Sequence, residues 1–352
     1  MKFGLSFLLS IFILEFLAKV ILFNPYANAS LVKFENSSSA FRIRWVYRYL
    51  ATRGSTKIYY PFDAYDRLKG WNLKPGLRKY TYGGFMLNSN SQGIRGTAEY
   101  TLEKHDSVQK RILAIGDSFT FGDDIDDDET YPAMLQSLLG PQYEVLNMGI
   151  HGYGHDQSLL KLEQEGLKFK PDIIIFAYGL WDKPRNLLNF RDYAKPRFIL
   201  KNGRLELRDS PISSPKSVLI QEIFKFHFLD LVRIIASGLS NNREAAHAEK
   251  LSLEIIRQMG HLAKEVEASL VVLYLPYREL FAPSLDRREE EALMPFAQKE
   301  GLFICNPTTQ MRATSKKQKM KTLFLKDLHY APILNRDLAQ VLQECLQKYR
   351  LL

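Results

Sequence analysis

Five short apolar runs constrain this chain more than anything else in it: RILAIG, YEVLNMG, DIIIFAYG, SLVVLYLP and GLFICNP. Each is rich in branched residues, apolar at consecutive positions and closed by glycine or proline. A strand with one wet face alternates apolar with polar. A strand apolar throughout is covered on both faces, as in a parallel sheet beneath helices. The gaps between the runs carry helical patterns. One, at about 130–139, opens on Thr130 and has Pro132 in its first turn. Others fall at about 156–168 and 331–348. In 249–267, Leu251, Ile255, Met259, Leu262 and Val266 recur at three- and four-residue spacing and mark one buried stripe. This alternation predicts a three-layer α/β/α fold around a central, mostly parallel five-stranded sheet, with ligands at the carboxyl ends of the strands. The chain's 352 residues, 46% of them hydrophobic and 25% charged, suffice for such a core and argue against global disorder.

The pattern begins near residue 109, so 109–352 is expected to form the α/β domain. The polar, proline-dotted stretch at about 183–215 reads as an insertion over its carboxyl edge. Residues 25–108, with turn signals at GWNLKPG and NSNSQGIRG, read as an irregular extension packing on that domain. Residues 1–24 include about 20 mostly apolar positions behind Lys2, the length of a transmembrane helix. Glu15 and Lys19 interrupt them at a spacing that lets the two pair on one helical face. The segment is therefore expected to be a membrane anchor. Ala27-Asn28-Ala29 offers a cleavage site, and with it a secreted form, as the alternative. The charge count on the two flanks leaves the orientation open.

Net charge is +9, with basic residues concentrated at 42–53 and 315–321. Neither concentration forms a stripe interleaved with stacking aromatics, and no nucleic-acid-binding motif occurs, so no nucleic-acid partner is expected. The two cysteines, Cys305 and Cys345, form no metal or redox motif. They pair in an oxidising compartment or remain as buried thiols. The acidic run DDIDDDET (123–130) lacks the turn glycine and bidentate glutamate of a calcium loop and reads as solvated. GDSFTFG lacks the lysine of a phosphate loop. No metal and no cofactor are expected.

Three features fall after successive strands and hence on one sheet edge: Ser118, the stretch NMGIHGYGHDQ (147–157) and YGLWD (178–182). KDLHYAP (326–332) precedes the last helix and can return to that edge. A nucleophilic serine needs a base, and the base an orienting group. His329, with Asp327 two residues before it, fits those roles. His151 and His155 are its rivals and read more simply as polar loop residues or caps. The amides of Ser118 and Gly152 are natural donors to a developing oxyanion.

GDSFTFG, VLNMGIHGYGHDQ, PDIIIFAYGLWD and DLHYAP resemble the successive blocks of the SGNH/GDSL hydrolase family. The upstream GWNLKPG and NSNSQGIRG resemble segments of its membrane-anchored bacterial members. The resemblance covers about 70–332. It implies the flavodoxin-like SGNH fold, Ser118 as nucleophile, Gly152 as oxyanion donor, and Asp327 and His329 completing the triad. It also implies an exported catalytic domain, periplasmic or at the cell surface, tethered by the N-terminal helix. One block departs from the pattern. Its Gly-x-Asn-Asp here reads Gly179-Leu180-Trp181-Asp182, so Trp181 stands where an oxyanion-donating asparagine is usual. The expected activity is a serine esterase acting on ester-containing small molecules, lipids or O-acylated glycans. The alternatives are acyl transfer to a glycan hydroxyl and a non-catalytic envelope protein of the same fold.

Overall fold

The computed structural model describes residues 2–34, 36–238, 242–278, 288–325 and 328–352. By its internal contacts the chain divides into two compact units. One comprises 1–72, 187–199 and 206–248, the other 73–186, 200–205 and 249–352.

The second unit holds the sheet. Its strands are β1 (Lys110–Ile115), β2 (Tyr143–Asn147), β3 (Ile173–Gly179), β4 (Ser269–Leu275) and β5 (Phe303–Cys305). They correspond to the five apolar runs. Every pairing is parallel, and the spatial order is β5-β4-β3-β1-β2. The register sets Ile112 opposite Ile173 and Ser269 opposite Ile173 on the other side. Alternate strand residues serve opposite faces. Ile112, Ala114, Ile175 and Leu273 join one cluster with Leu135 of the Tyr131–Leu139 helix and Leu338 and Leu342 of the Pro332–Lys348 helix. Phe176 and Tyr178 face the other way, where their rings lie 5.4 and 4.8 Å from that of His155 in the His155–Gln164 helix. The layers are thus helix, sheet, helix.

The strand order reverses between β1 and β3, so chains leave β1 toward one side of the sheet and β3 toward the other. The crevice at that reversal is where open α/β sheets bind ligands. Backbone contacts close the neighbouring loop over it. The amides of Met148 and Ile150 donate to the carbonyls of Ala114 and Gly116 at 2.9 and 3.1 Å. A Cβ on Gly149 would stand 2.4 Å from the amide nitrogen of Phe121, so only glycine allows the β2 loop to lie against the turn after β1. Cys305 and Cys345 are disulfide-bonded, tying β5 to the last helix.

The first unit is built around Trp45 of the Ser38–Ala51 helix, whose indole N–H donates to the carbonyl of Lys57 at 3.0 Å. Phe190 and Tyr193 pack on its ring, with centroids at 5.9 and 5.4 Å. The N-terminal helix, Lys2–Leu22, belongs to this unit. The expectation of a transmembrane helix and a membrane-anchored location is corrected here, because no helix among the described residues is long and apolar enough to cross a membrane. The acidic interruption accounts for how the segment is used instead. The Glu15 carboxylate is buried and accepts from the amides of His227 and Phe228 at 3.1 and 3.0 Å. It caps the Phe228–Ser237 helix, with Lys19 as counter-ion at 3.2 Å.

Candidate active site

Strand β1 ends at Ile115, and at the Gly116 that follows a Cβ would meet the Thr120 hydroxyl at 2.4 Å and the Ala177 methyl at 3.0 Å. The missing side chain lets the next residues turn sharply against β3. Asp117 then caps the one-turn Ser118–Phe121 helix, its Oδ1 accepting from the Phe119 amide at 3.0 Å. Ser118 follows the cap at the carboxyl edge of the sheet. Its amide and that of Gly152, in the β2 loop at φ +72°, donate to no acceptor among the described residues.

The structure brings Ser118 and His329 together across 211 residues, with Oγ 3.0 Å from Nε2. A short return holds the histidine. The Leu325 amide donates to the His329 carbonyl at 2.8 Å, and the Ala331 amide to the Leu323 carbonyl at 2.9 Å. The imidazole's second nitrogen, Nδ1, lies 3.0 Å from Oδ2 of Asp124. In the neutral Nδ1–H tautomer the hydrogen bonds therefore run from the serine hydroxyl to Nε2, and from Nδ1–H to Asp124. Asp327, the carboxylate that the sequence pairs with His329, lies outside the described residues.

Asp124 belongs to the acidic run, which here is not a solvated loop. Gly122 turns the chain at φ +89° and Asp124 takes φ +67°, a left-handed conformation that aspartate tolerates better than most residues. Arg95 locks this turn from beneath. Its buried guanidinium donates to the carbonyls of Phe121, Gly122 and Ile125 at 2.5–2.6 Å and to Asp127 at 2.9 Å. Asp126 and Glu129 form a capping box at the next turn.

Charge around the imidazole is unbalanced. Burial pulls the His329 pKa down, but the hydrogen bond to Asp124 and the charges of Asp123, Asp124 and Asp117 together hold it above its ordinary value. Asp123 is itself buried, with Oδ2 3.9 Å from Nε2. Burial pushes its pKa up to about 6, against the pull of His151 and His329.

Trp181 does not point its N–H into an oxyanion hole. The indole nitrogen donates to Asp117 Oδ2 at 2.7 Å, and its ring lies against Phe119 with centroids 4.3 Å apart and planes tilted by 34°. It therefore holds both chain neighbours of Ser118. Gly179 makes room for the indole, since a Cβ there would lie 2.5 Å from it. Arg185 completes the support, donating to Asp117 at 3.3 Å, to the Tyr153 carbonyl at 3.0 Å and to Asp182. Asp182 is thus held in a buried ion pair.

The rival histidines take other places. His155 is buried, its Nε2 3.1 Å from the Gly179 carbonyl, and burial drives its pKa down to about 3, so it is neutral. His151 packs against Phe121. The sequence reading missed Asp124 and the Arg185–Asp117–Trp181 support. The signal for the first was a carboxylate two residues after a glycine; nothing local marked the second.

Among the described residues, one group of side chains has the spacing of metal ligands: Glu222, His227 and Asp230, in the first unit. Side chains of the protein already occupy it. Lys225 Nζ lies 2.9 Å from Asp230 and His227 Nδ1 3.2 Å from the same oxygen. Burial would raise the Asp230 pKa, but hydrogen bonds from His227, Lys225 and Ser39 hold it well below the usual carboxylate range.

No family model matches the sequence, and no curated protein matches it. Among solved structures, the neighbours include a lipolytic protein of the G-D-S-L family, TesA and an acetylxylan esterase. A protein assigned to the G-D-S-L lipolytic family from Desulfitobacterium hafniense DCB-2 is 16% identical, with TM-score 0.41 over 68% of this chain and 100% of its own. TesA is 16% identical, with TM-score 0.42 over 69% of this chain and 100% of its own. An acetylxylan esterase from Geobacillus stearothermophilus is 15% identical, with TM-score 0.42 over 68% of this chain and 94% of its own. At TM-scores below 0.5 these likenesses stand beside the geometry and add no weight to it.

Proposed function

We propose that the chain is a serine esterase that hydrolyses O-acyl groups through an acyl-Ser118 intermediate, as its resemblance to the SGNH/GDSL hydrolases implies. The observation that carries this reading is the continuous hydrogen-bond chain Ser118–His329–Asp124, with both links at 3.0 Å. Ser118 Oγ attacks the ester carbonyl while Nε2 of His329 takes its proton. Asp124 orients the imidazole and stabilises the imidazolium that forms. The carbonyl oxygen becomes an oxyanion and accepts from the amides of Ser118 and Gly152. Collapse breaks the ester C–O bond, and the leaving alkoxide takes the proton from Nε2. Water then attacks the acyl-serine, giving its proton to Nε2, and the acid departs as Ser118 Oγ recovers it.

With the Trp181 N–H committed to Asp117, the oxyanion hole in this reading rests on two backbone donors. Trp181 instead serves as a wall and a brace for the turn that carries the nucleophile. The raised pKa of His329 sets the pH dependence. The base must be neutral, so activity falls as pH drops through a value above the ordinary 6.5.

The test combines labelling and turnover. A fluorophosphonate probe should label the wild type and leave S118A unlabelled, and p-nitrophenyl acetate turnover should vanish in both S118A and H329A. A wild type that is neither labelled nor active on p-nitrophenyl esters of any chain length would overturn the reading.

A further inference from the structure

Asp123 is a buried carboxylate that the fold does not use. Its neighbours in the acidic run have structural work. Asp126 accepts from the Met86 amide at 2.6 Å, and Asp127 from the Asn88 amide at 2.9 Å and from Arg95 at 2.9 Å. Asp124 holds the imidazole, and Asp128 is exposed. Asp123 Oδ1, by contrast, is buried and accepts no hydrogen bond among the described residues. Ionising a carboxyl group in such a place is costly, and nothing in the packing repays it.

Its position is set by the turn that carries Ser118. The Asp123 amide donates to the Ser118 carbonyl at 3.0 Å, and Arg95 pins the Gly122 and Ile125 carbonyls on either side of the Asp123–Asp124 pair. Oδ2 is thereby held 3.9 Å from His329 Nε2, the atom that lies 3.0 Å from Ser118 Oγ. At that distance the carboxylate is too far to hydrogen-bond Nε2 and does not compete with the serine for it, but it is close enough to act on its charge. The charged and titratable groups that act on Asp123 are His151 in the loop after β2, His329 before the last helix, Asp124 beside it and Arg95 beneath. Those that raise the His329 pKa are Asp123, Asp124 and Asp117.

When Nε2 takes the proton of Ser118 the imidazole becomes a cation, and Asp124 meets that charge only at Nδ1. We propose that Asp123 is a second positioning residue for this step, its carboxylate stabilising the His329 imidazolium from the Nε2 edge at which the proton arrives. No bond to Asp123 forms or breaks, and the proton stays on Nε2 until the leaving alkoxide takes it. The kinetic consequence rests on the esterase reading; the charge interaction with His329 does not. The imidazole is neutral before attack and charged after it, so the carboxylate favours the transition state over the ground state. A fixed charge 3.9 Å from one that develops is worth about tenfold or more in rate.

The experiment joins a histidine titration to a pH profile, both in the full-length protein. NMR with labelled histidine, assigned with H329A, should show the His329 pKa lower in D123N than in the wild type. On p-nitrophenyl acetate, kcat of D123N at pH 8 should fall about tenfold with KM little changed, while stability in urea does not fall. In the wild type two protons, one from Nε2 and one from Asp123, must leave before the site works at full rate. The acid limb of its kcat/KM profile should therefore be steeper than one proton, and D123N should restore a one-proton slope. An unmoved His329 pKa, or kcat at the wild-type level in D123N, would overturn the proposal. So would a loss of activity that comes with a loss of stability, which would mark a structural role. If D123N fails to fold by circular dichroism, D123S takes its place, and a one-proton acid limb in the wild type counts against the proposal. A wild type without turnover fails the esterase reading instead, and the titration alone then decides whether Asp123 acts on the imidazole.

Discussion

Asp124→Asn isolates the step on which the catalytic reading depends. Asparagine is close in size and, like aspartate, tolerates the left-handed conformation at φ +67°, so the turn locked by Arg95 should survive. What changes is the partner of His329 Nδ1, now 3.0 Å from a carboxylate. An amide can present its N–H there, which favours the tautomer with the proton on Nε2, the nitrogen that must accept from Ser118. Replacing a triad aspartate in this way costs about 10⁴-fold in kcat, or roughly 5 kcal/mol of barrier. A second signature separates loss of orientation from loss of fold. The hydrogen bond to Asp124 is the largest of the effects that raise the His329 pKa against burial. Without it the pKa falls. Because the base works only when neutral, the acid limb of the kcat/KM profile should move to lower pH in the residual activity. The assay is p-nitrophenyl acetate hydrolysis from pH 5 to 9, with D327N alongside. Since Asp124 already occupies Nδ1, D327N should stay within about threefold of wild type, the span of an ordinary peripheral substitution. The reasoning is refuted if D124N runs at wild-type rate with an unshifted acid limb, and more so if D327N carries the loss.

Three further outcomes follow from the same geometry. W181F keeps a ring against Phe119 but loses the N–H to Asp117, and its kcat should fall by less than about tenfold. A loss of about 100- to 1000-fold would instead mark Trp181 as an oxyanion donor. Asp123 has a folded pKa raised to about 6 from 3.8. The penalty for its ionisation therefore grows as pH rises from about 4 to 6, and D123N should be more stable than wild type at pH 8 by up to about 3 kcal/mol, with the gap closing below pH 4 in urea titrations. The Cys305–Cys345 bond closes a loop of 40 residues that includes His329. Replacing both cysteines by alanine should cost about 4 kcal/mol of stability on the chain-entropy account, read as a lower denaturation midpoint with a larger m-value, because the unfolded chain without the cross-link exposes more surface.

The sheet was legible because its information is local. Five runs apolar at consecutive positions cannot be one-sided strands, and the helical patterns between them leave a parallel, covered sheet as their common solution. Ser118 and Gly152 were legible for a related reason, since residues that follow parallel strands share an edge whatever the loops do. His329 could be named because its loop precedes the last helix. The carboxylate that the structure sets against its Nδ1 could not, because sequence spacing points to the nearest aspartate, Asp327, which lies outside the described residues. Asp124 reaches the imidazole across 205 residues through a left-handed turn stapled by Arg95, and no periodicity records that turn. The acidic run misled for the same reason. A string of charges looks solvated until a buried guanidinium and an imidazole are found to need them.

The N-terminal helix shows the converse error, in which a local pattern was read without its partner. Its length and apolarity suggest a span, and Glu15 looked like a tolerated interruption. In the structure that carboxylate caps the start of the Phe228–Ser237 helix, more than 200 residues away. In each of these segments the decisive atom is a carboxylate: Asp124 on an imidazole, Asp117 on an indole, Glu15 on two amides. Carboxylates are commonly surface residues, so their presence carries little information until the donor is located. Their placement also explains how the site tolerates tryptophan at position 181. The Asp117 side chain takes both Nε1–H of Trp181 and a proton of Arg185, and so converts a residue that would crowd Ser118 into one that braces its turn.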